Sequence, residues 1–148
     1  MKQFFGTHEN KRDAKGRVSV PAPFRNAWKD EAKMTLVLRP SMIEGCVEAW
    51  PAPTYERFQA MVNEKAETDP ERYGLATMVY SEAEEIELDA QGRILIPEHL
   101  AALAGLADAV CFLGRGDHFH IWEPGAATSF KAASRAMAPR IAFGAPAA

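Results

Sequence analysis

A nine-residue segment occurs twice in this chain and constrains the fold more than any other feature. Residues 13–21 read Asp-Ala-Lys-Gly-Arg-Val-Ser-Val-Pro, and residues 89–97 read Asp-Ala-Gln-Gly-Arg-Ile-Leu-Ile-Pro. Five of the nine positions are identical, and two more exchange Val for Ile. Such self-similarity indicates two copies of one small structural unit. Because modules that bind a repeating polymer often present the same polar turn twice, the repeat favours binding over catalysis.

The similarity between the two copies continues beyond the turn. Each copy reads as a strand, a tight turn, a strand, a short helix, two further strands and a longer helix. The later strands are predicted at 34–38, 46–50, 109–113 and 118–122, and the longer helices at 54–66 and 128–137. Asp69-Pro70 predicts the start of a separate helix over 70–80. One face of that helix carries Tyr73, Ala76, Thr77 and Tyr80. This face packs either on a neighbouring subunit or on the rest of its own chain.

These patterns predict how the chain is divided. The expected segments are a first repeat with its helix at 1–66, a linker helix at 67–80, a second repeat at 81–137 and a disordered tail at 138–148. Half-units of about 50 residues are too small for separate cores, so we expect them to complete one core together. No apolar run approaches the roughly 20 residues of a membrane helix, and the polar start lacks a signal-peptide core. We therefore expect an intracellular protein without membrane contacts.

Charge is distributed unevenly between the two copies, although the whole chain carries only −3. Residues 1–29 contain seven basic and two acidic side chains, a net charge of +5. Residues 81–98 contain one basic and six acidic side chains, a net charge of −5. The glutamates at 82, 84, 85 and 87 are interpreted as a solvated strand edge. Because a local positive field is what binding to a polyanion requires, the first copy is the expected contact surface.

The first turn presents an arginine at a rigid, protruding edge. Asp13 is expected to accept hydrogen bonds from backbone N–H groups, and Gly16 to supply the positive φ after it. Arg17 then begins the outgoing strand, where its guanidinium can bind a phosphate or guanine O6 and N7 in the major groove. Lys15 at the tip, with Lys11 and Arg12 beside it, would neutralise phosphates.

An alternative interpretation is that the Asp and Arg side chains only pair with each other and lock the hairpin. For the second copy, which contains Asp89, Gly92 and Arg93, this alternative is preferred because the surrounding glutamates would repel DNA. Gln91 also replaces the tip lysine there. We therefore assign direct DNA contact to the first turn and only a secondary role to the second.

Other chemistry is weakly represented. His118 and His120 lie two positions apart on one strand face and form a possible pair of metal ligands, but no third ligand is evident at suitable spacing. We therefore interpret them as surface or interface histidines and predict no metal. Cys46 and Cys111 are expected to be buried free thiols. A catalytic triad, a P-loop and a dinucleotide-binding loop are all missing from the sequence, so we expect no cofactor and no enzymatic activity.

The segment Gly6-Thr-His-Glu-Asn-Lys11, followed by the first turn and its copy, closely resembles the bacterial MraZ family of tandem SpoVT/AbrB-like domains. The likeness spans residues 1–137. It implies an α+β, mainly β fold: a pseudo-symmetric swapped-hairpin β-barrel with flanking helices, whose subunits assemble into a ring. It also implies a nucleoid-associated, cytoplasmic transcriptional regulator that binds double-stranded DNA at repeated short boxes in its own promoter, ahead of the division and cell-wall genes.

Two other functions remain open at this point. One is the antitoxin half of a toxin–antitoxin pair, which would also be a swapped-hairpin DNA binder; the full second repeat and the lack of a long toxin-binding tail disfavour it. The other is a scaffold ring without DNA affinity, which the acidic net charge favours. A neighbouring toxin gene would decide the first, and binding to heparin the second.

Overall fold

The computed structural model describes residues 3–28 and 34–138, and it contains eight strands and five α-helices within them. The strands are β1 (Thr7–Lys11), β2 (Arg17–Ser19), β3 (Thr35–Pro40), β4 (Val47–Pro51), β5 (Glu84–Glu87), β6 (Arg93–Leu95), β7 (Ala109–Gly114) and β8 (Phe119–Trp122). The helices are α1 (Ala22–Trp28), α2 (Ala52–Asn63), α3 (Pro70–Ser81), α4 (Glu98–Leu103) and α5 (Pro124–Met137). This order confirms the repeated pattern and the mainly β fold class.

The strands of the two repeats pair with each other. Six of them form one antiparallel sheet in the order β1-β7-β8-β4-β3-β5, and β2 pairs with β6 in a separate antiparallel ribbon. The counterparts in the two repeats are β1 and β5, β3 and β7, and β4 and β8. When they are exchanged, the same strand order is obtained from the opposite edge of the sheet, so the fold has pseudo-twofold symmetry. Each first strand lies at an outer edge beside a strand of the other repeat, β1 against β7 and β5 against β3. The halves are therefore interleaved.

The main core lies between the sheet and the ribbon. Alternate sheet residues such as Leu36, Phe112 and Phe119 are fully buried there, together with Val18 and Ile94 from the ribbon. Side chains from α1 and α4 complete this layer; they are Phe24, Ala27, Trp28, Leu100 and Ala101. Because successive strand residues point to opposite faces, this alternation fixes which face of the sheet the ribbon covers.

The opposite face of the sheet is covered at two separate places. Trp50 packs beneath α2 and α3 in one apolar cluster, and Trp122 packs beneath α5 in another. Both tryptophans are buried. Cys46 and Cys111 are buried in the second cluster as free thiols, which confirms that expectation. Burial raises the pKa of the Cys46 thiol to about 12, so this thiol is inert as a nucleophile near neutral pH.

The main difference from the expected fold concerns the barrel. Within residues 3–28 and 34–138 the strand pairing does not close, because the outer strands β1 and β5 do not pair with each other. The hairpin at the first turn is also short. Its arms are joined by the Asp13 N–H bond to the Arg17 carbonyl and by the bridge between Arg12 and Val18, and further along the Asn10 side chain donates to the Ser19 carbonyl. Strand β2 pairs with β6 instead of continuing the hairpin with β1, because this pairing buries the apolar side of both strands against the sheet.

The predicted helices are present, and some of their boundaries differ from the prediction. Asp69 caps α3 as predicted, with its carboxylate accepting from the N–H groups of Glu71 and Arg72. The predicted helix 54–66 lies at Ala52–Asn63, and the predicted helix 128–137 begins four residues earlier, at Pro124. The face proposed on α3 is divided: Ala76 is buried against α2, while Tyr73, Thr77 and Tyr80 are exposed. Apart from Ala138, the tail predicted at 138–148 lies outside the described residues.

Candidate nucleic-acid interface

The first turn is built around one carboxylate. Asp13 Oδ1 accepts from the backbone N–H groups of Lys15 and Arg17 at 3.0 and 2.8 Å, and Oδ2 accepts from Arg17 Nε at 2.8 Å. The backbone closes with Gly16 N donating to the Asp13 carbonyl at 2.9 Å, and Gly16 has a φ of 86°. A left-handed residue after an Asp-initiated turn is the reason for glycine here. The terminal guanidinium nitrogens of Arg17 have no hydrogen-bond partner among the described residues.

The second turn repeats this geometry. Asp89 Oδ1 accepts from the N–H groups of Gln91 and Arg93, both at 2.9 Å, and Oδ2 accepts from Arg93 Nε at 2.9 Å. Gly92 has a φ of 76°. One difference is that Arg93 Nη2 also donates to Gln91 Oε1 at 3.4 Å. The second guanidinium is thus held by one more contact than the first.

Hydrogen bonds to the charged form lower the pKa of both aspartates. For Asp13 the largest contribution is the N–H of Arg17, and the Arg17 guanidinium and the Lys15 N–H act in the same direction. For Asp89 the N–H of Arg93 has the same leading role. Both carboxylates are therefore ionised at neutral pH, and each holds its arginine by the Nε atom.

Pairing of β2 with β6 places the two arginines on one surface. In the ribbon Arg17 lies opposite Leu95, and Ser19 lies opposite Arg93. Arg17 and Arg93 are therefore diagonal neighbours on the solvent-facing side, with Cα atoms about 7–8 Å apart. Val18 and Ile94 point to the opposite side and are buried, because successive side chains of a strand alternate between its two faces.

The basic residues near the first turn differ in their accessibility. Lys11 and Lys15 are exposed. Arg12, by contrast, has only 11% of its side chain exposed, and its Nη2 donates to Glu98 Oε2 at 3.4 Å. The same guanidinium lies over Gly16, where a β-carbon would be 3.3 Å from Nη2. The structure thus brings Lys11, Lys15 and Arg17 together at the surface and places Arg12 beneath them.

Because the repeats are interleaved, a charged side chain of each copy lies beside the turn of the other copy. Arg25 of α1 lies directly over the second turn, where a β-carbon on Gly92 would be 2.7 Å from its Nη1. Its Nε donates to the Val20 carbonyl at 3.1 Å, which holds the side chain in this position. Glu98, from the acidic copy, lies beside the first turn through its pair with Arg12. The difference in charge between the turns is therefore smaller than the linear count indicates.

Sequence comparison with known proteins identifies the family of this chain. A sequence model described as "MraZ protein, putative antitoxin-like" matches residues 3–75 and 79–137, which include both turns and nearly all of the described chain. The chain belongs to the MraZ family. Relatives support this over most of the length: a protein of Gluconobacter oxydans (strain 621H) is 39% identical over 145 residues, 96% of this chain and 88% of its own.

Other MraZ relatives have similar coverage. One from Rhodospirillum rubrum is 37% identical over 142 residues, which is 95% of this chain and 89% of that protein. Both relatives carry the name "Transcriptional regulator MraZ". None of the helices described in this MraZ chain has the length and apolar character needed to span a bilayer.

Sequence reasoning missed one feature of this MraZ chain, a third potential metal ligand beside the two histidines. Glu48 on β4 lies opposite His120 on β8, and together with His118 the three side chains place ligand atoms within 4.8 Å of one another. Because 70 residues separate Glu48 from His118, their spacing in the sequence does not indicate a common site. The register between β4 and β8 brings the three side chains together. Burial lowers the pKa of His120 to about 4, aided by the charges of His118 and Arg115.

Proposed function

We propose that this chain is a DNA-binding transcriptional regulator that contacts duplex DNA with the exposed face of the β2–β6 ribbon. The observation that carries this proposal is the diagonal pair of Asp-anchored arginines, Arg17 and Arg93, on one solvent-facing surface. Two-stranded ribbons fit the major groove, which is about 12 Å wide. The names of the family's curated relatives agree with a regulatory function.

Arg17 is the proposed base-reading residue. Asp13 engages its Nε, so the two terminal nitrogens remain to donate to guanine O6 and N7 or to a phosphate. Anchoring also fixes the rotamer before DNA arrives, which reduces the entropy lost on binding. Asp13 is therefore proposed as a positioning residue, and Gly16 as the residue that permits the turn.

Lys11 and Lys15 are the proposed phosphate contacts, because both are exposed beside Arg17. Arg12 contributes positive charge and supports the turn from below, where its pair with Glu98 and its 11% exposure limit direct contact. Phosphate contacts of this kind position the protein but do not read sequence. The residues assigned to affinity and to specificity are thus different ones.

The second turn is proposed to make a weaker contact. Asp89, Gly92 and Arg93 reproduce the geometry of the first turn, and Arg25 adds a positive charge above them. Gln91 stands at its tip, however, where the first turn has a lysine, and Gln91 Oε1 already accepts from Arg93 Nη2. The second turn therefore offers one cation fewer to phosphates and a guanidinium that is already engaged.

Regulation of the division and cell-wall gene cluster, at repeated boxes in the chain's own promoter, is part of the proposal. One ribbon is a small footprint, so we propose that subunits assemble into a ring-like homo-oligomer that presents several ribbons to repeated boxes. The second contact then forms at a high effective concentration, and affinity rises without any larger single contact. Such a protein acts in the cytoplasm, in association with the nucleoid.

The test is a mobility-shift titration on the DNA upstream of the chain's own gene, with and without excess random competitor. Wild-type protein is expected to retain the specific complex in the presence of competitor. Arg17→Ala should remove that preference, whereas Arg135→Ala, an exposed arginine on α5, should not. If wild-type protein binds neither this fragment nor heparin, the scaffold-ring alternative replaces the proposal.

A further inference from the structure

The sheet face opposite the ribbon carries a polar cluster that DNA binding does not use. We propose that Glu48, His118 and His120 form a binding site for a borderline first-row divalent cation of the Zn²⁺ type. Their ligand atoms all lie within 4.8 Å of one another, close enough to converge on one ion. Two imidazoles and one carboxylate are a known three-ligand set for zinc sites that keep a fourth position open.

The backbone beneath the cluster is rigid. Glu48 and His120 are paired residues of β4 and β8, the two central strands of the six-stranded sheet. Central strands open least often, so the separation between these two ligands is fixed by the sheet rather than by a loop. His118 lies just before β8, and its ring stacks on Trp50 with a centroid distance of 4.0 Å and an angle of 2°.

Outer contacts orient the ligands in the way that metal sites require. His118 Nδ1 lies 2.8 Å from Asp117 Oδ1; if it donates this hydrogen bond, Nε2 carries the lone pair. Trp50 Nε1 donates to Glu48 Oε1 at 3.0 Å, and Oε2 has no hydrogen-bond partner among the described residues. In metal sites a ligating histidine commonly donates its other N–H to a carboxylate, and a ligating carboxylate commonly accepts a hydrogen bond from a neighbouring group. The Asp117 and Trp50 contacts correspond to these two features.

Two features of the cluster oppose a cation and limit its affinity. Arg39 Nε lies 3.8 Å from Glu48 Oε1, and Arg115 lines the same cavity. Trp122 Nε1 also donates to His120 Nδ1, at a long 3.4 Å, so coordination through Nε2 requires this bond to break. A cation is therefore expected to bind here less tightly than it would without the two arginines.

The open position faces a cavity of about 360 Å³. Apolar side chains from three parts of the chain line it, including Met42, Phe58 and Phe130. Imidazole ligands select Zn²⁺, Co²⁺ or Ni²⁺ over Mg²⁺ and Ca²⁺, which prefer all-oxygen sites. Because the cluster and the ribbon lie on opposite faces of the sheet, the proposal does not depend on DNA binding.

The experiment titrates untagged, chelator-treated full-length protein with Zn²⁺ by calorimetry and with Co²⁺ by visible absorption. We expect one ion per chain and a Co²⁺ spectrum typical of four or five ligands. Glu48→Gln and His118→Gln should each weaken binding at least tenfold. His99→Gln, an exposed histidine outside the cluster, should bind as the wild type does.

Two further variants test the outer contacts. Asp117→Asn, on an exposed side chain, should weaken Co²⁺ binding about 10- to 100-fold through the loss of the carboxylate behind His118. Arg115→Gln should strengthen binding several-fold by removing a positive charge from the cavity. Circular dichroism and urea unfolding establish that each variant is folded. The proposal is overturned if the wild type binds less than half an equivalent at 100-fold excess, or if Glu48→Gln and His118→Gln bind as tightly as the wild type.

Discussion

Arg17 and Arg93 occupy diagonal positions on the exposed face of the β2–β6 ribbon, each held through Nε by an aspartate four residues before it. They come from turns 76 positions apart in sequence. Strand exchange between the repeats brings them to about 7–8 Å between Cα atoms. The ribbon is therefore one surface with two guanidinium groups, and its halves can be compared by single substitutions.

Replacement of Arg17 is expected to remove specific DNA binding. Loss of a bidentate base contact is worth about 1–3 kcal/mol, which corresponds to roughly 5- to 150-fold in affinity. Arg93→Ala should weaken binding much less, because Gln91 already engages its Nη2 and takes the place of the tip lysine. Anisotropy titrations on the promoter fragment measure both. Equal losses would mean that the two turns contribute equally.

Salt dependence should separate phosphate contacts from base contacts. Each phosphate contact contributes about 0.9 to the slope of log affinity against log salt, so a ring with several engaged ribbons should give a slope on the order of −4 or steeper. Lys15→Ala should flatten the slope and weaken binding to cognate and random DNA alike. Arg17→Ala should instead abolish the preference for cognate DNA. A change of sequence preference in Lys15→Ala at an unchanged slope would reverse the two assignments.

Gly92→Ala is expected to lower the free energy of unfolding by about 1–2 kcal/mol, because an alanine is strained at a φ of 76°. The new methyl group would also displace Arg25, whose Nη1 would be 2.7 Å away. Adding Arg25→Ala should remove the crowding and leave only the backbone strain. Gly74→Ala in α3 is the matched control: nothing lies within 4 Å, and it should stabilise by about 0.5–1 kcal/mol. Urea unfolding checks all three, and a neutral Gly92→Ala would contradict the assigned turn geometry.

Acid should remove the contribution of the turn aspartates. The folded pKa of Asp13 lies below its usual value, so its stabilising effect is fully present above the unfolded pKa of about 3.9 and is lost as pH falls through the folded value. The difference in unfolding free energy between wild type and Asp13→Asn should therefore be constant from pH 7 to about 5 and shrink below about 4.

Asp108→Asn, on an exposed residue outside the turns, is the control for this pH series. Urea midpoints at pH 7, 5, 4 and 3 provide the measurement. A difference between wild type and Asp13→Asn that stays constant down to pH 3 would show that the carboxylate does not stabilise the turn through these hydrogen bonds.

The two repeats should unfold as one unit. A fragment of residues 1–67 lacks β7 and β6, the strands that pair with β1 and β2 in the structure. It is expected to be insoluble or to dimerise so that a second copy replaces the missing strands. Size-exclusion chromatography and NMR distinguish these outcomes, and a well-folded monomer would contradict the shared core.

The local features of this protein could be predicted from short stretches of its sequence. The duplicated turn, the alternation around Val18 and the Asp69 cap of α3 depend on residues within a few positions of each other, and the structure confirms them. The start of α5 was predicted four residues late, because Pro124 and Gly125 are typical of loops. Proline is tolerated at the first helical position, however, and the Glu123 carboxylate caps the helix by accepting from the Gly125 N–H.

Strand pairing, by contrast, could not be predicted from the sequence and depends on the tertiary fold. An alternating pattern specifies the buried face of a strand but does not name its partner. The open sheet in place of a closed barrel, Arg25 over Gly92 and Glu48 beside His120 all follow from pairing across the repeats. The contacts of Arg25 with Gly92 and of Glu48 with His120 join residues more than 60 positions apart, where register is set by burial of the whole core and by no local signal.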